Sequence, residues 1–398
     1  MPSRTPSLFE SERSTLADNL ALTASSLCAY GERYRHWAIA YSGGKDSSAT
    51  VTAIVALIER GQVPAPESLT VLYADTRLEL PPLQAAAFGI LESLGQRSIQ
   101  TQVVMPPLDD RFFVYILGRG VPPPKHNFRW CTPQLKIEPM AAALAEARRQ
   151  AGQKLLLITG VRVGESAARD ARIALACSRD GAECGQGWFQ ELSSSAVADT
   201  LAPLLTWRVC HVWDWLMFDA PQLGFPTPAI AEAYGGDEAQ EINARTGCIA
   251  CPLASRDKAL DVLIQQPQWA YLAPLKRLRP LWDELRKPER RLRKPGSERR
   301  KDGSLPKNPM RLGPLTFEAR RWALGLVLGI QSEVNDAAAQ LGRPEVRLIN
   351  AEEIARIAEL IGAETWPDGW DGTEMRGDQL VDQVVADGVV QALLEGIA

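Results

Sequence analysis

Apolar residues in the first half of the chain fall into short unbroken runs separated by stretches with helical spacing. Residues 12–32 carry Leu16, Leu20, Leu22 and Leu27 at intervals that predict an amphipathic helix. The run Trp37-Ala38-Ile39-Ala40-Tyr41 predicts a strand, followed by a glycine turn and a helix from about Ser47 to Arg60. Further strands are predicted at Leu69–Tyr73, Gln100–Val104 and Lys154–Gly160, with helices at Pro82–Leu94 and Leu135–Gln150. Leu201–Leu216 reads as a short strand, a turn at Thr206 and a Trp-rich helix. Unbroken apolar strands alternating with crossover helices predict an α/β fold built on a doubly wound, mainly parallel sheet.

Beyond Asp257 the pattern turns helical, with helices predicted at Thr316–Gly329 and Ala351–Ile361. Between them, residues 276–311 hold fourteen Lys or Arg and five Asp or Glu. That excess of nine, with several prolines, predicts a flexible loop too charged to pack. The predicted organisation is therefore a helical segment at 1–34, an α/β domain at 35–260, a basic linker or arm at 261–315 and a C-terminal helical region at 316–398.

Composition changes this picture little. The chain has 398 residues, is 45% hydrophobic and 23% charged, and carries a net charge of -4. That excludes a protein that coats nucleic acid over its whole surface and leaves room for one local basic surface. No secretion signal or membrane-spanning run is read, so the expected location is cytoplasmic, with seven reduced cysteines. Clustered cysteines in that setting point to metal ligands or reactive thiols rather than disulfides.

The first chemical signal is Ser42-Gly43-Gly44-Lys45-Asp46-Ser47, which joins a strand directly to a helix. Glycines let backbone N–H groups turn towards an anion, and a helix N-terminus adds partial positive charge. Ser42 and Ser47 can donate hydrogen bonds, Lys45 supplies a mobile cation, and Asp46 can cap the helix or help hold Mg²⁺. The plainer reading is a glycine turn whose Ser-Asp pair caps a helix. The spacing is not that of a Walker loop; it resembles the PP-loop of the ATP pyrophosphatase superfamily, which includes N-type synthetases, tRNA thiolases and PAPS reductases. That resemblance implies an adenine nucleotide alpha hydrolase-like fold that binds ATP through residues 42–47. It also puts adenine and ribose near Tyr73-Ala74-Asp75-Thr76, where Asp75 binds ribose or metal or else caps a helix.

Further segments narrow the resemblance. Phe128-Arg129-Trp130-Cys131-Thr132 with Leu135-Lys136-Ile137-Glu138-Pro139 is similar to a PAPS reductase-like segment. Gly160-Val161-Arg162 followed by Glu165, Ser166 and Arg169 matches a second, which in that family faces the nucleotide phosphates. Two guanidiniums suit a polyphosphate; a surface ion-pair cluster with Glu165 is the alternative. Gly247-Cys248-Ile249-Ala250-Cys251 with Asp257-Lys258, and Gly313-Pro314-Leu315-Thr316-Phe317-Glu318-Ala319-Arg320, resemble the DndC family of DNA phosphorothioation systems and its functional relative SspD. Cysteines found in DndC-like proteins just upstream of Cys248 are absent here, so a sister family is equally implied.

Lys45, Asp46, Ser47 and Arg162 are the candidate catalytic residues. Ser42, Gly43, Gly44, Asp75, Glu165 and Arg169 complete the nucleotide set. A Cys-x-x-Cys pair in a reduced compartment holds zinc or an iron–sulfur cluster, or acts as a redox dithiol. By resemblance, Cys131 joins Cys248 and Cys251, and the fourth ligand comes from Cys177 or Cys184, the Cys184-Gly185 step favouring the latter. A [4Fe–4S] cluster is the expected group and Zn²⁺ its rival. Cys28 and Cys210 read as packing residues, as does His211.

The function this implies is ATP cleavage to AMP and pyrophosphate that activates a substrate for sulfur transfer in DNA backbone phosphorothioation. A cysteine desulfurase would donate the sulfur, beside other phosphorothioation proteins. The basic arm would contact DNA phosphates, or alternatively serve as a solvated linker or dock an acidic protein. A PAPS or APS reductase, a tRNA thiolase and a non-catalytic nucleotide-sensing module of a defence complex are the rival readings. Sulfite-forming reductases usually carry a cysteine near the C-terminus, and no cysteine follows Cys251 here.

Overall fold

Strand β1 (His36–Tyr41) lies inside the larger sheet in a computed structural model of the chain, with Trp37, Ala38 and Ile39 buried. The structure describes residues 14–164, 170–171, 182–183, 188–234, 248–294, 311–379, 383–384 and 390–391. Glu165, Ser166, Arg169, Cys177, Cys184, residues 235–247 and part of the basic stretch (295–310) lie outside the described residues. The chain divides into two compact units. The first comprises Met1–Asp75, Pro82–Val104 and Met140–Thr246; the second comprises Thr76–Pro81, Met105–Pro139 and Gly247–Ala398.

In the first unit, β1 pairs in parallel with β2 (Ser68–Ala74), and β2 with β3 (Gln100–Val104). On its other side β1 pairs with β4 (Leu155–Ile158); β5 (Ala182–Glu183), β6 (Trp188–Gln190) and β7 (Ala198–Ala202) complete the sheet. The order is β3-β2-β1-β4-β7-β6-β5, parallel as far as β7 and antiparallel beyond it. A sheet that grows outwards from β1 in both directions is doubly wound, as the alternation predicted. The antiparallel edge was not among the predicted strands.

Helices α1 (Leu16–Gly31), α2 (Lys45–Glu59), α3 (Pro81–Gln96) and α4 (Glu138–Ala151) match the predicted ones within a few residues. A capping box of Thr15 and Asp18 starts α1. Met140, Ala143 and Leu144 of α4 pack on Ala38, Leu72 and Val104 of the sheet. The Trp-rich segment forms α5 (Val209–Asp214) and continues as a wide turn, and α6 (Pro228–Ala233) follows. Trp215 within that turn donates to Thr52 Oγ1 of α2 at 2.8 Å. Cys210 is exposed rather than packed, since it points away from the buried His211–Val212 side.

The second unit contains α7 (Lys258–Leu263), α8 (Leu278–Arg286), α9 (Phe317–Leu341) and α10 (Ala351–Gly362). It also has an antiparallel sheet of β10 (Met375–Arg376), β8 (Arg291–Arg293) and β9 (Leu312–Leu315), with β8 in the middle. Thr316 caps α9 by accepting from Ala319 N, where the predicted helix begins. The helix runs on past Gly329 to Gly342, whose left-handed conformation ends it. Ala319, Ala323, Val327, Ile330, Val334 and Ala338 form its buried stripe.

The expectation of an unpacked basic arm does not hold for residues 276–294. Leu278, Leu281, Trp282 and Leu285 lie three or four residues apart and bury one side of α8, while the charges occupy the other. Arg291 is buried too, donating to Gly313 O at 2.6 Å. Among the described residues, no helix is long and apolar enough to cross a membrane.

Candidate functional site

In the first unit, the turn between β1 and α2 is shaped by Gly43, whose φ of 74° belongs to the left-handed region. Gly44 is the N-cap residue of α2 and, lacking a side chain, makes no cap bond of its own to the first-turn N–H groups. Asp46 therefore does not cap the helix. Ser42 and Ser47 fold across the turn: Ser42 N donates to Ser47 Oγ at 3.2 Å, and the two hydroxyls lie 3.0 Å apart. Ser47 Oγ also donates to Gly44 O at 3.0 Å. These bonds fix the loop's shape without any ligand.

Arg162, just past β4, is 2% exposed. Its Nε donates to Asp46 Oδ1 at 2.6 Å, and its Nη1 donates to Trp207 O at 2.9 Å. The other carboxylate oxygen of Asp46 lies 3.5 Å from Lys45 Nζ. Two cations thus share one carboxylate at the head of α2, leaving one surplus positive charge where the helix dipole is also positive. This suits an anion. It does not suit Asp46 as a Mg²⁺ ligand, because both of its oxygens already face cations.

Gly160 makes this convergence possible. A Cβ there would stand 2.9 Å from Thr50 Oγ1 and 3.1 Å from the Asp46 carbonyl, so any larger residue would push the end of β4 off the first turn of α2. Asp75, at the end of β2, is buried and accepts from Gln84 Nε2 of α3 at 3.2 Å. Helix α3 starts six residues later, so Asp75 is not its cap. Tyr234 was missed by the sequence reading. Its hydroxyl accepts from Lys45 N at 3.3 Å, and its ring centroid lies 5.4 Å from Lys45 Nζ. No local pattern could link residues 189 positions apart.

In the second unit, Cys131, Cys248 and Cys251 are free and half-buried. Each lies within electrostatic range of the other two. Cys248 to Cys251 form a tight turn closed by Cys251 N donating to Cys248 O at 3.2 Å, with Ala250 at a left-handed φ of 48°. Asp257 holds the turn by accepting from Ala250 N at 2.7 Å, and Trp282 Nε1 donates to Ala250 O at 2.7 Å. On the other side of the aromatic cluster, Trp130 stacks on Phe112 at 5.6 Å beside Cys131, and Phe112 meets Trp282 edge-on at 5.5 Å. One cluster of rings therefore positions both cysteine segments.

Burial pushes the Cys248 thiol up to about 12, with Lys136 acting in the opposite sense, and burial likewise raises Cys131. Such thiols stay protonated near neutrality unless a cation binds them. Iodoacetamide at pH 8 is expected to alkylate exposed Cys210 at least tenfold faster than Cys248, scored by peptide mass spectrometry. Equal rates would contradict this burial. Three soft thiol donors fit a thiolate-bound metal centre in chemistry. Among the described residues, no group of three or more His, Cys, Asp or Glu is arranged to hold a metal; Cys184, the expected fourth ligand, lies outside them.

Residues 36–220 match the phosphoadenosine phosphosulfate reductase domain family. An uncharacterized protein of Methanocaldococcus jannaschii is 25% identical over 228 residues, which are 57% of this chain and 44% of that relative. The match thus spans less than half of the curated relative's length. Among solved structures, the chain is similar to a phosphoadenylyl-sulfate reductase from Candida auris in a phosphate complex. That likeness has a TM-score of 0.34 at 11% identity over 57% of this chain and 87% of the other. It is also similar to the U34-tRNA thiolase NcsA of Methanococcus maripaludis with its [4Fe-4S] cluster. There the TM-score is 0.33 at 12% identity, over 68% of this chain and 76% of the other.

Proposed function

We propose that this chain is an ATP pyrophosphatase that activates a substrate for sulfur transfer, with a DNA backbone phosphate as the acceptor. The observation that carries the reading is the Lys45–Asp46–Arg162 group at the glycine-led head of α2. A nucleotide polyphosphate is the anion such a group suits, and the reductase-domain match over residues 36–220 supports it. Lys45 and the N–H groups of the loop would take the charge that develops on pyrophosphate as the bond between the α and β phosphorus atoms' bridging oxygen and Pα breaks. Arg162 holds Asp46, and with it the first turn, in place. Ser42 and Ser47 orient the phosphate oxygens, and Asp75 takes the ribose. Glu165 and Arg169 complete the set by resemblance.

The acceptor oxygen would attack Pα and expel pyrophosphate. The terminal sulfur of a desulfurase persulfide would then attack the acceptor phosphorus and expel AMP, and a second thiol would free the product by forming a disulfide with the persulfide's inner sulfur. The DndC-like segments around Cys248 and Gly313 support this acceptor. Cys131, Cys248 and Cys251, with Cys184, are the residues that would hold a [4Fe–4S] cluster, or zinc in its place. When bound, a cluster would supply sulfur-binding or redox chemistry, whereas zinc would staple the fold. Iron and sulfide quantification after anaerobic purification decides between them.

ATP incubated with the protein is expected to yield AMP and pyrophosphate in equal amounts, resolved by ion-exchange chromatography. ADP and phosphate as products would end this reading. The family match itself favours one rival, reduction of phosphoadenylyl sulfate. Sulfite formed from that substrate with thioredoxin, and no pyrophosphate from ATP, would establish the rival instead.

A further inference from the structure

Within the second unit, a groove of about 970 Å³ runs past β8 and β9, apart from the nucleotide and cysteine residues assigned above and lined in part by the basic arm. Six of its lining residues are Lys or Arg and one, Asp368, is acidic. Arg119 is paired with Asp110 at 2.9 Å, Arg286 donates to Pro124 O at 3.0 Å, and Arg291 donates to Gly313 O. Lys125 and Arg311 are exposed, and Lys294 lies over the Trp370 ring at 5.1 Å. Arg286 also pairs with Asp283 at 2.9 Å and Lys294 lies within electrostatic range of Asp371, so the six lining cations outnumber the neighbouring carboxylates Asp110, Asp283, Asp368 and Asp371 in a chain whose total charge is negative.

The groove also presents rings. Lys125 and Phe128 close a tight turn through paired backbone bonds, Phe128 N to Lys125 O at 2.8 Å and Lys125 N to Phe128 O at 3.2 Å. One rigid turn, led in by Pro122 and Pro123, thus delivers a cation and an exposed aromatic ring (42%) to the same groove. Trp370 supplies a second ring. Cations beside accessible ring faces are the two elements of single-strand binding, in which phosphates take the charge and bases stack. A duplex hides its base faces, and an acidic peptide would leave the rings without stacking partners. The volume lies at the upper end of the range for small-molecule sites, roughly 300–1,000 Å³.

We propose that this groove binds a single nucleic-acid strand, its phosphates along Lys125, Lys294 and Arg311 and a base against Phe128 or Trp370. This names where the acceptor strand would be gripped, and so rests on the acceptor half of the proposed function. It makes no use of the ATP reaction. Anisotropy of a fluorescein-labelled oligothymidylate of about twelve nucleotides, titrated with the full chain without nucleotide, tests it.

Lys125→Ala is expected to reduce the slope of log K against log salt by about 0.7. Phe128→Ala should weaken binding about tenfold and leave the slope alone. Because both residues are exposed, neither change should lower the thermal midpoint, which circular dichroism checks. Unchanged affinity in both variants, tighter binding of a duplex of the same sequence, or full competition by oligoglutamate would overturn the groove assignment. An oligouridylate bound more tightly than the DNA, with both variant effects retained, would keep the groove and remove DNA as acceptor. Loss of pyrophosphate release alone would leave the groove untouched.

Discussion

Lys45→Ala is expected to slow pyrophosphate release from ATP by about 10²–10³-fold, the range for removing one charge-stabilising donor from a reaction centre. Lys45 is only 7% exposed, yet its ammonium has no full partner. It stands 3.5 Å from Asp46, whose closer bond at 2.6 Å is to Arg162, and it is covered by the Tyr234 ring. Its removal leaves Asp46 paired and places a better helix former in the first turn, so stability should change by less than about 1 kcal/mol. The loss should fall on turnover more than on the affinity for ATP, because the surplus charge matters most as pyrophosphate departs. Steady-state pyrophosphate release and a binding titration with a non-hydrolysable ATP analogue separate the two. Turnover within threefold of wild type would remove Lys45 from the chemistry.

Arg320→Ala is expected to destabilise the second unit by about 3–5 kcal/mol. The Gly313–Arg320 segment was notable in the sequence for a helix start, but the structure shows its arginine fully buried. Its guanidinium donates to three carbonyls, those of Leu315 at 3.0 Å, Gly118 at 3.1 Å and Thr365 at 2.7 Å. It also lies 4.5 Å from the Phe317 ring centroid and 4.4 Å from that of Trp366. One side chain therefore joins the start of α9, the wide turn before Gly120 and the segment after α10. Alanine would leave three buried acceptors unsatisfied and a gap between two rings. Urea unfolding followed by tryptophan fluorescence measures the loss. Arg320→Lys should recover less than half of it, because one ammonium cannot reach all three carbonyls with the guanidinium's geometry. A midpoint unchanged in Arg320→Ala would show that the contacts carry no net stability.

The parallel half of the sheet was legible in the sequence because strands buried on both faces must be apolar throughout. Leu69–Tyr73 and Leu155–Ile158 could hardly be anything else. Strand β7 was only partly legible, since it carries buried Asp199. That carboxylate is accommodated by Lys154 at 2.6 Å and by Tyr34, 165 residues away, at 2.5 Å. A still longer separation, 189 residues, hid Tyr234 from Lys45. In the basic stretch, composition averaged over 36 residues masked the four apolar positions of α8. The loop itself was plain, because a strand, two glycines and a helix leave few alternatives, whereas the ion pairing of Asp46 depended on where β4 ended.

The turn carrying Cys248 and Cys251 has one more consequence. Ala250 holds a backbone conformation that costs an L-residue about 1 kcal/mol, and it does so because Asp257 and Trp282 grip both of its peptide groups. The spacing of the two thiols is thus dictated by the Asp257 carboxylate and an aromatic scaffold. In small zinc modules the metal is the folding agent; here a hydrogen-bonded carboxylate and a set of packed rings do the equivalent shaping with protein groups alone.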